Sequence, residues 1–263
     1  MRDCQGGMAI MLSMGGSSTR NQCLPRDVVV GIPVYKPIMS EVERKVLEQC
    51  ARVLGRYDVV FVHPEGLDVS IYKKAIPSAK AISFSDQYFK GTSGYNKLLI
   101  NSGFYQAFVT YQYLLIFQLD AWVFEDALLE WCNRGYDYIG APWLEEPLRG
   151  RASKWIPFTK LCVNKVGNGG LSLRRVPTHL QIAKKLTFIT RFYNYNEDVF
   201  WSIFVPVIFR SYRKPKVQEA LEFAFEYKPR ESYERIGNKL PFGCHAWERT
   251  DREFWSRYIR VEV

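Results

Sequence analysis

The stretch 113–120, YLLIFQLD, places five apolar side chains in a row before Gln118, Leu119 and the carboxylate of Asp120. An unbroken apolar run of that length, closed by an acid, reads as a strand buried on both faces, as inside a parallel sheet. It predicts a strand over Tyr113–Leu119 that ends at Asp120. Working outward, Val28–Pro33 (VVVGIP) and Asp58–Val62 (DVVFV) have the same character, and a third run lies near Ala81–Phe84. Between the first two, Ser40 and Glu43 have capping-box spacing, and Val42, Val46, Leu47, Cys50, Val53 and Leu54 follow at helical intervals. Downstream, the pattern predicts a helix over Asp126–Cys132 and a strand over Tyr136–Ile139. A strand containing a glycine turn over Lys165–Leu173, a helix running to Leu186 and a helix opened by Asn196 follow. Such alternation marks an α/β sheet, read here as one domain over residues 27–263.

Composition bounds the possibilities. In 263 residues, 47% are hydrophobic and 24% charged, which excludes disordered, collagen-like and disulfide-scaffold classes. Aromatics at 15% suffice for a core and for a lined cleft. A net charge of +9 favours acidic partners such as nucleotides. The six cysteines form no CxxC pair, so reduced thiols and a cytoplasmic location are expected. The longest apolar run, Phe200–Phe209, is interrupted by Pro206 and is about half the ~20 residues of a membrane span. Residues 1–26 hold four Met, two Cys and no period, and are expected to be a disordered extension. Met8–Met14 lacks the flanks of a signal peptide.

No Walker A loop, GxGxxG, GxSxG or HExxH occurs. Four features remain that bear chemistry. Asp120, at the carboxyl edge of the sheet, either holds a cation against a diphosphate or caps the following turn. Gly167, Gly169 and Gly170 around Asn168 allow positive φ and close approach to a ligand, or form a glycine bulge. In Asn196-Glu197-Asp198, one carboxylate is a candidate general base, while acids in a first helical turn also suit the helix dipole. His245 is a candidate ligand or an ordinary structural histidine. The open edge of the sheet suggests a nucleotide pocket along Pro33, Tyr35 and His63 with Tyr95, Asn96 and Lys97. Two basic, aromatic segments, Arg149–Lys160 and Arg210–Lys216, suit a solvated loop or the surface of an anionic bilayer. The long stretch Leu144–Lys160 is read as a lid or acceptor surface.

The ordered set YNKLLINSGFYQAF (95–108), YLLIFQLDAWVF (113–124), GYDYIGAPWL (135–144), VGNGGLSLRR (166–175), NEDVFW (196–201) and LPFGCHAWE (240–248) resembles a glycosyltransferase-like family of unknown function met in bacterial polysaccharide loci. The match runs from Val28 to Trp255. The resemblance implies a GT-A architecture: a Rossmann-type mixed, mainly parallel sheet flanked by helices. It implies an inverting transferase that moves a hexose from a nucleotide sugar, expected to be a UDP-sugar, to a saccharide or lipid-linked acceptor. Gln118-Leu119-Asp120 occupies the place of the family's Asp-x-Asp metal motif, and His245 that of a late metal-binding histidine. A Mn²⁺ or Mg²⁺ ion on Asp120 and His245 is therefore implied, with metal dependence left open by Gln118. Asn168, Gly169 and Gly170 match the turn beside the donor sugar, and Asp198 or Glu197 the base. A peripheral position on the inner membrane face would suit such an acceptor. A nucleotidyltransferase is opposed by Pro33-Val34-Tyr35-Lys36-Pro37, which stands where its glycine-rich loop belongs. A degenerate nucleotide-sugar or glycan-binding module remains the other reading. No nucleic-acid-binding motif occurs.

Overall fold

The apolar runs assemble into the sheet they predict. In the computed structural model, which describes residues 22–144 and 159–261, β1 (Val28–Pro33), β2 (Asp58–Pro64), β3 (Lys80–Phe84) and β4 (Tyr113–Phe117) are all parallel. Val30 of β1 lies between Val59 of β2 and Leu115 of β4. After β5 (Ala121–Val123) come β6 (Tyr138–Gly140), β7 (Pro142–Trp143), β8 (Lys165–Val166) and β9 (Leu171–Arg175). The central sheet has the order β3-β2-β1-β4-β9-β6, and β9 alone runs against its neighbours. Two small sheets complete the fold, β7 with β8, and β10 (Ala224–Phe225) and β11 (Gly243–His245) with β5.

Helices cover both faces, which explains the lack of polar alternation in the strands. Val28, Val30, Ile32, Leu115 and Phe117 enter one buried cluster, with Val46, Leu47 and Cys50 of the helix Glu41–Leu54. Val29, Leu114 and Ile116 enter the other, with Leu98, Phe104 and Trp201. The capping box forms as read: the Glu43 amide donates to Ser40 Oγ (3.1 Å) and the Ser40 amide to Glu43 Oε2 (2.8 Å).

Four expectations are corrected. β4 ends at Phe117 rather than Leu119, because the Gln118 amide turns to the Gly170 carbonyl (2.9 Å) and the Ala121 amide closes a turn on Gln118 (2.9 Å). The predicted strand Lys165–Leu173 is two strands in different sheets, parted at the glycines. The helix after Asn196 runs Glu197–Val199, then a π-helical turn, Phe200–Phe204, then Val205–Ile208. Pro206 has no amide hydrogen for the Ser202 carbonyl, and the Lys214 ammonium donates to that oxygen instead. Residues 22–26, assigned to the extension, are placed: the Cys23 amide donates to Asn133 Oδ1 (2.8 Å), and Pro25–Asp27 form a 3₁₀ turn. Residues 1–21 and most of the predicted lid and its basic cluster, 145–158, lie outside the described residues.

Candidate active site

Two cavities open at the sheet edge where β1 and β4 end. One, of about 650 Å³, is lined by Pro33, Tyr35, Lys36, Glu43, Tyr72 and Asp120. The other, of about 740 Å³, is lined by Trp143, Asn168, Gly169, Asp198, Glu226 and His245. Thr92, Tyr95, Gln118 and Arg249 border both. Ligands of open α/β sheets collect at this edge.

At the junction stands a chain of charged groups. The His245 Nε2 is 3.1 Å from both Asp120 Oδ1 and Gln118 Oε1, and its Nδ1 is 3.1 Å from Glu226 Oε2. The second Asp120 oxygen accepts from Arg249. Burial disfavours the charge on His245, but Asp120 and Glu226 outweigh it and push the imidazole up to about 10. Burial would raise Asp120, yet His245 and Arg249 hold its carboxyl well below the usual range.

With His245 Nε2 deprotonated, the residue chemistry here fits a divalent cation, whose binding would displace that proton. Two oxygens and a ring nitrogen converge, and ligands about 2.1 Å from an octahedral ion stand about 3 Å apart at right angles. Glu226 on the far ring nitrogen is the outer partner such histidines carry. Gly170 leaves the room, since a Cβ there would lie 2.0 Å from His245 Nε2. Among the described residues no three His, Cys, Asp or Glu side chains form a ready cation cage, so the set needs oxygens from a ligand.

The glycine turn explains itself by contact. A Cβ at Gly167 would lie 1.9 Å from Trp143, and one at Gly169 would lie 1.8 Å from Glu197 Oε1. Positive φ is taken by Asn168 (56°), not by the three glycines, and asparagine tolerates it. Each glycine therefore admits one large neighbour: Trp143, Glu197 or His245.

Glu197 and Asp198 are adjacent but differently held. Glu197 is buried, with Oε1 paired to Arg174 Nη2 at 2.9 Å. Arg174 is fully buried and donates also to Tyr105 Oη (3.0 Å) and Ser172 Oγ (3.1 Å). Oε2 of Glu197 is buried without a hydrogen-bond partner. Among the described residues Asp198 pairs with no cation, and its Oδ1 accepts from the Val199 amide (2.7 Å). Burial, then the neighbouring Glu197, push its carboxyl up to about 7.

The structure thus brings Gln118, Asp120, His245, Asn168, Gly169, Gly170, Glu197 and Asp198 to the two joined cavities, with Pro33, Tyr35 and Tyr95. Asn96 lines the second cavity and accepts from the Glu197 amide (3.4 Å). Two expected pocket residues lie elsewhere. His63 turns its Nδ1 to the Pro64 carbonyl (2.8 Å), and Lys97 donates to the last carbonyls of the helix Thr187–Phe192, including Thr190 (3.2 Å). A cation at a helix C-terminus suits the macrodipole. Sequence reading missed Glu226, Arg249 and Trp143. The first had a signal, because Glu226 closes the apolar run Phe223–Phe225 as Asp120 closes its own.

Comparison with known proteins bears on the class first. Mouse xyloside xylosyltransferase 1 is similar with a TM-score of 0.54 at 11% identity, over 83% of this chain and 97% of that one. The glycosyltransferase GlyE of Streptococcus pneumoniae gives 0.50 at 14%, over 90% of this chain and 61% of that one. The fold is that of GT-A glycosyltransferases. Residues 78–245 match the family described as "Protein of unknown function (DUF5672)", and the chain belongs to that family. No curated protein matches the sequence.

Proposed function

We propose that the protein is a glycosyltransferase that moves a hexose from a nucleotide sugar, a UDP-sugar in our reading, to a saccharide or lipid-linked acceptor in polysaccharide synthesis. One observation carries this reading. On a GT-A sheet, a charge-holding cluster and a pair of differently held carboxylates face two cavities with a common border. Glycosyl transfer needs both. Charge grows on the leaving diphosphate while the acceptor hydroxyl loses its proton.

In this account the nucleotide lies against Pro33, Tyr35 and Tyr95, and the sugar reaches past Gln118 toward Asn168 and Gly169. Asp120, Gln118 and His245 would hold Mn²⁺ or Mg²⁺, which supplies charge for the diphosphate oxygens. Asp198, with its carboxyl near neutrality, takes the proton from the acceptor oxygen as that oxygen attacks the anomeric carbon from the face opposite the leaving group. Glu197, fixed by Arg174, presents Oε2 to a sugar hydroxyl. Mouse xyloside xylosyltransferase 1, by its name, acts on a xyloside, which supports a sugar acceptor.

The test is release of nucleoside diphosphate from a panel of nucleotide sugars with manganese, with and without saccharide acceptors. Release that disappears in Asp198→Asn supports the reading. Binding without release would favour the degenerate binding module, and no binding of any nucleoside diphosphate would overturn both.

A further inference from the structure

The helices Thr187–Phe192 and Val205–Ile208 leave apolar side chains in water. Phe188 is 77% exposed, Phe192 64% and Val207 67%, with Ile189 and Ile208 also exposed. Contacts through partly buried neighbours set the two helices side by side. The Tyr193 ring lies 6.4 Å from that of Phe204, one turn before Val207, and Lys185 Nζ lies 5.9 Å from the Phe209 ring. Phe188 and Phe192 meet edge to face at 5.4 Å. Singly scattered exposed apolar residues are ordinary, but five on two adjoining helices, with Phe188 and Phe192 in contact, point to an interaction site.

Its charge identifies the partner. Residues 181–195 and 199–218 contain no Asp or Glu, while Lys184, Lys185, Arg191 and Arg210 are exposed on them. Among the described residues the contacts of these cations are neutral: Lys184 donates to Gln106 Oε1 (2.9 Å) and Arg191 lies 6.0 Å from the Phe192 ring. Lys214 turns inward to the Ser202 carbonyl and takes no part. We propose that this face docks on an anionic lipid bilayer, with Phe188, Phe192 and Val207 at the acyl boundary and the cations at the phosphates. Aromatic and aliphatic side chains rimmed by Lys and Arg are what such an interface selects. A second copy of the chain would press cations against cations, which opposes self-association. Docking does not depend on the transfer reading. It adjoins that site nonetheless: Tyr193 Oη donates to the Asn196 carbonyl (3.0 Å), and Asn196 borders the second cavity.

The experiment is flotation of the full chain with phosphatidylcholine vesicles, with and without phosphatidylglycerol. The chain should float with the anionic vesicles, less so at high salt, and remain behind with neutral ones. Replacing Lys185, Arg191 and Arg210 by Gln should weaken partitioning about fivefold per residue, about a hundredfold together. Phe188→Ser with Phe192→Ser should abolish flotation without lowering the melting temperature. Should that double variant melt early, the charge variants carry the test, since they keep the apolar side chains. No flotation of the wild type, or equal flotation of the Gln variants, overturns the proposal. A wild-type dimer that Phe188→Ser dissolves, with no vesicle binding, would assign the face to a second copy instead.

Discussion

Asp120 and Asp198 line different cavities of one site and are held in opposite ways. Asp120 lies between an imidazolium and a guanidinium, which keep it ionised. Asp198 is half-buried beside Glu197, and burial and that neighbouring charge outweigh its backbone hydrogen bond and push the carboxyl up to about 7. Two carboxyl groups pushed apart in this way suit the proposed division into a fixed charge and a proton acceptor. Sequence spacing cannot show the division, because both are acids beside apolar runs.

The largest effect expected is on turnover. Asp198→Asn should lower it by about 10²–10⁴-fold with nucleotide affinity nearly unchanged, as measured by kinetics beside calorimetry. Near-normal turnover would remove Asp198 from the chemistry. The wild-type kcat/KM should rise with pH through about 7, because a base works only when deprotonated, and the variant should lack that limb.

Stability sharpens the contrast between the neighbours. Glu197→Gln leaves Arg174 charged and buried without its counterion, so it should cost roughly 3–5 kcal/mol, a melting shift on the order of 10 °C. Asp198→Asn should do the reverse. The carboxyl is raised in the fold from its ordinary 3.8 to about 7. Its contribution to stability is therefore complete below pH 3.8 and is lost as the pH rises toward 7. The Asn variant escapes that loss and should be more stable than wild type at neutral pH, by on the order of 1–4 kcal/mol. Equal urea midpoints at pH 4 and pH 8 for the pair of proteins would contradict this.

The glycines give a smaller, local version. Gly169→Ala should displace Glu197 and Gly170→Ala should displace His245, each costing about 1–3 kcal/mol as overpacked sites do. Only the second should weaken manganese binding, measured with the donor nucleotide present. The smallest effect is expected at the rim of the first cavity, which Ser40 lines: Ser40→Ala should cost about 1 kcal/mol through loss of its cap, measured by urea unfolding.

Much of this was legible in the residues. Continuous apolar runs marked β1, β2 and β4 because both of their faces are buried, and the Ser40–Glu43 box marked a helix start by local hydrogen bonding alone. Gln118 and Asp120 stood out at the end of an apolar run, Glu197 and Asp198 as acids after the Asn196 cap and His245 as a lone histidine, while their site roles came from the family resemblance. What stayed hidden was set by distant partners. The Glu226–His245 contact spans two short strands of a minor sheet, and Arg174 pairs with Glu197 across the cavity wall. Lys97 read as a ligand because its real partners, the helix-end carbonyls near Thr190, are backbone atoms more than 90 positions away. The π-helical turn was not legible: Pro206 showed only as a break in the apolar run, and the Lys214–Ser202 contact shows how the freed carbonyl is satisfied.

The central claim is that the Asp120 cluster holds the charge of a nucleoside diphosphate between the two cavities. Calorimetry of the full chain with UDP, with and without Mn²⁺, tests it most directly. The account predicts that UDP and Mn²⁺ bind cooperatively, each supplying ligands or charge for the other, and that Asp120→Ala abolishes the coupling. Binding of UDP with equal affinity in the presence of EDTA and in Asp120→Ala would contradict it.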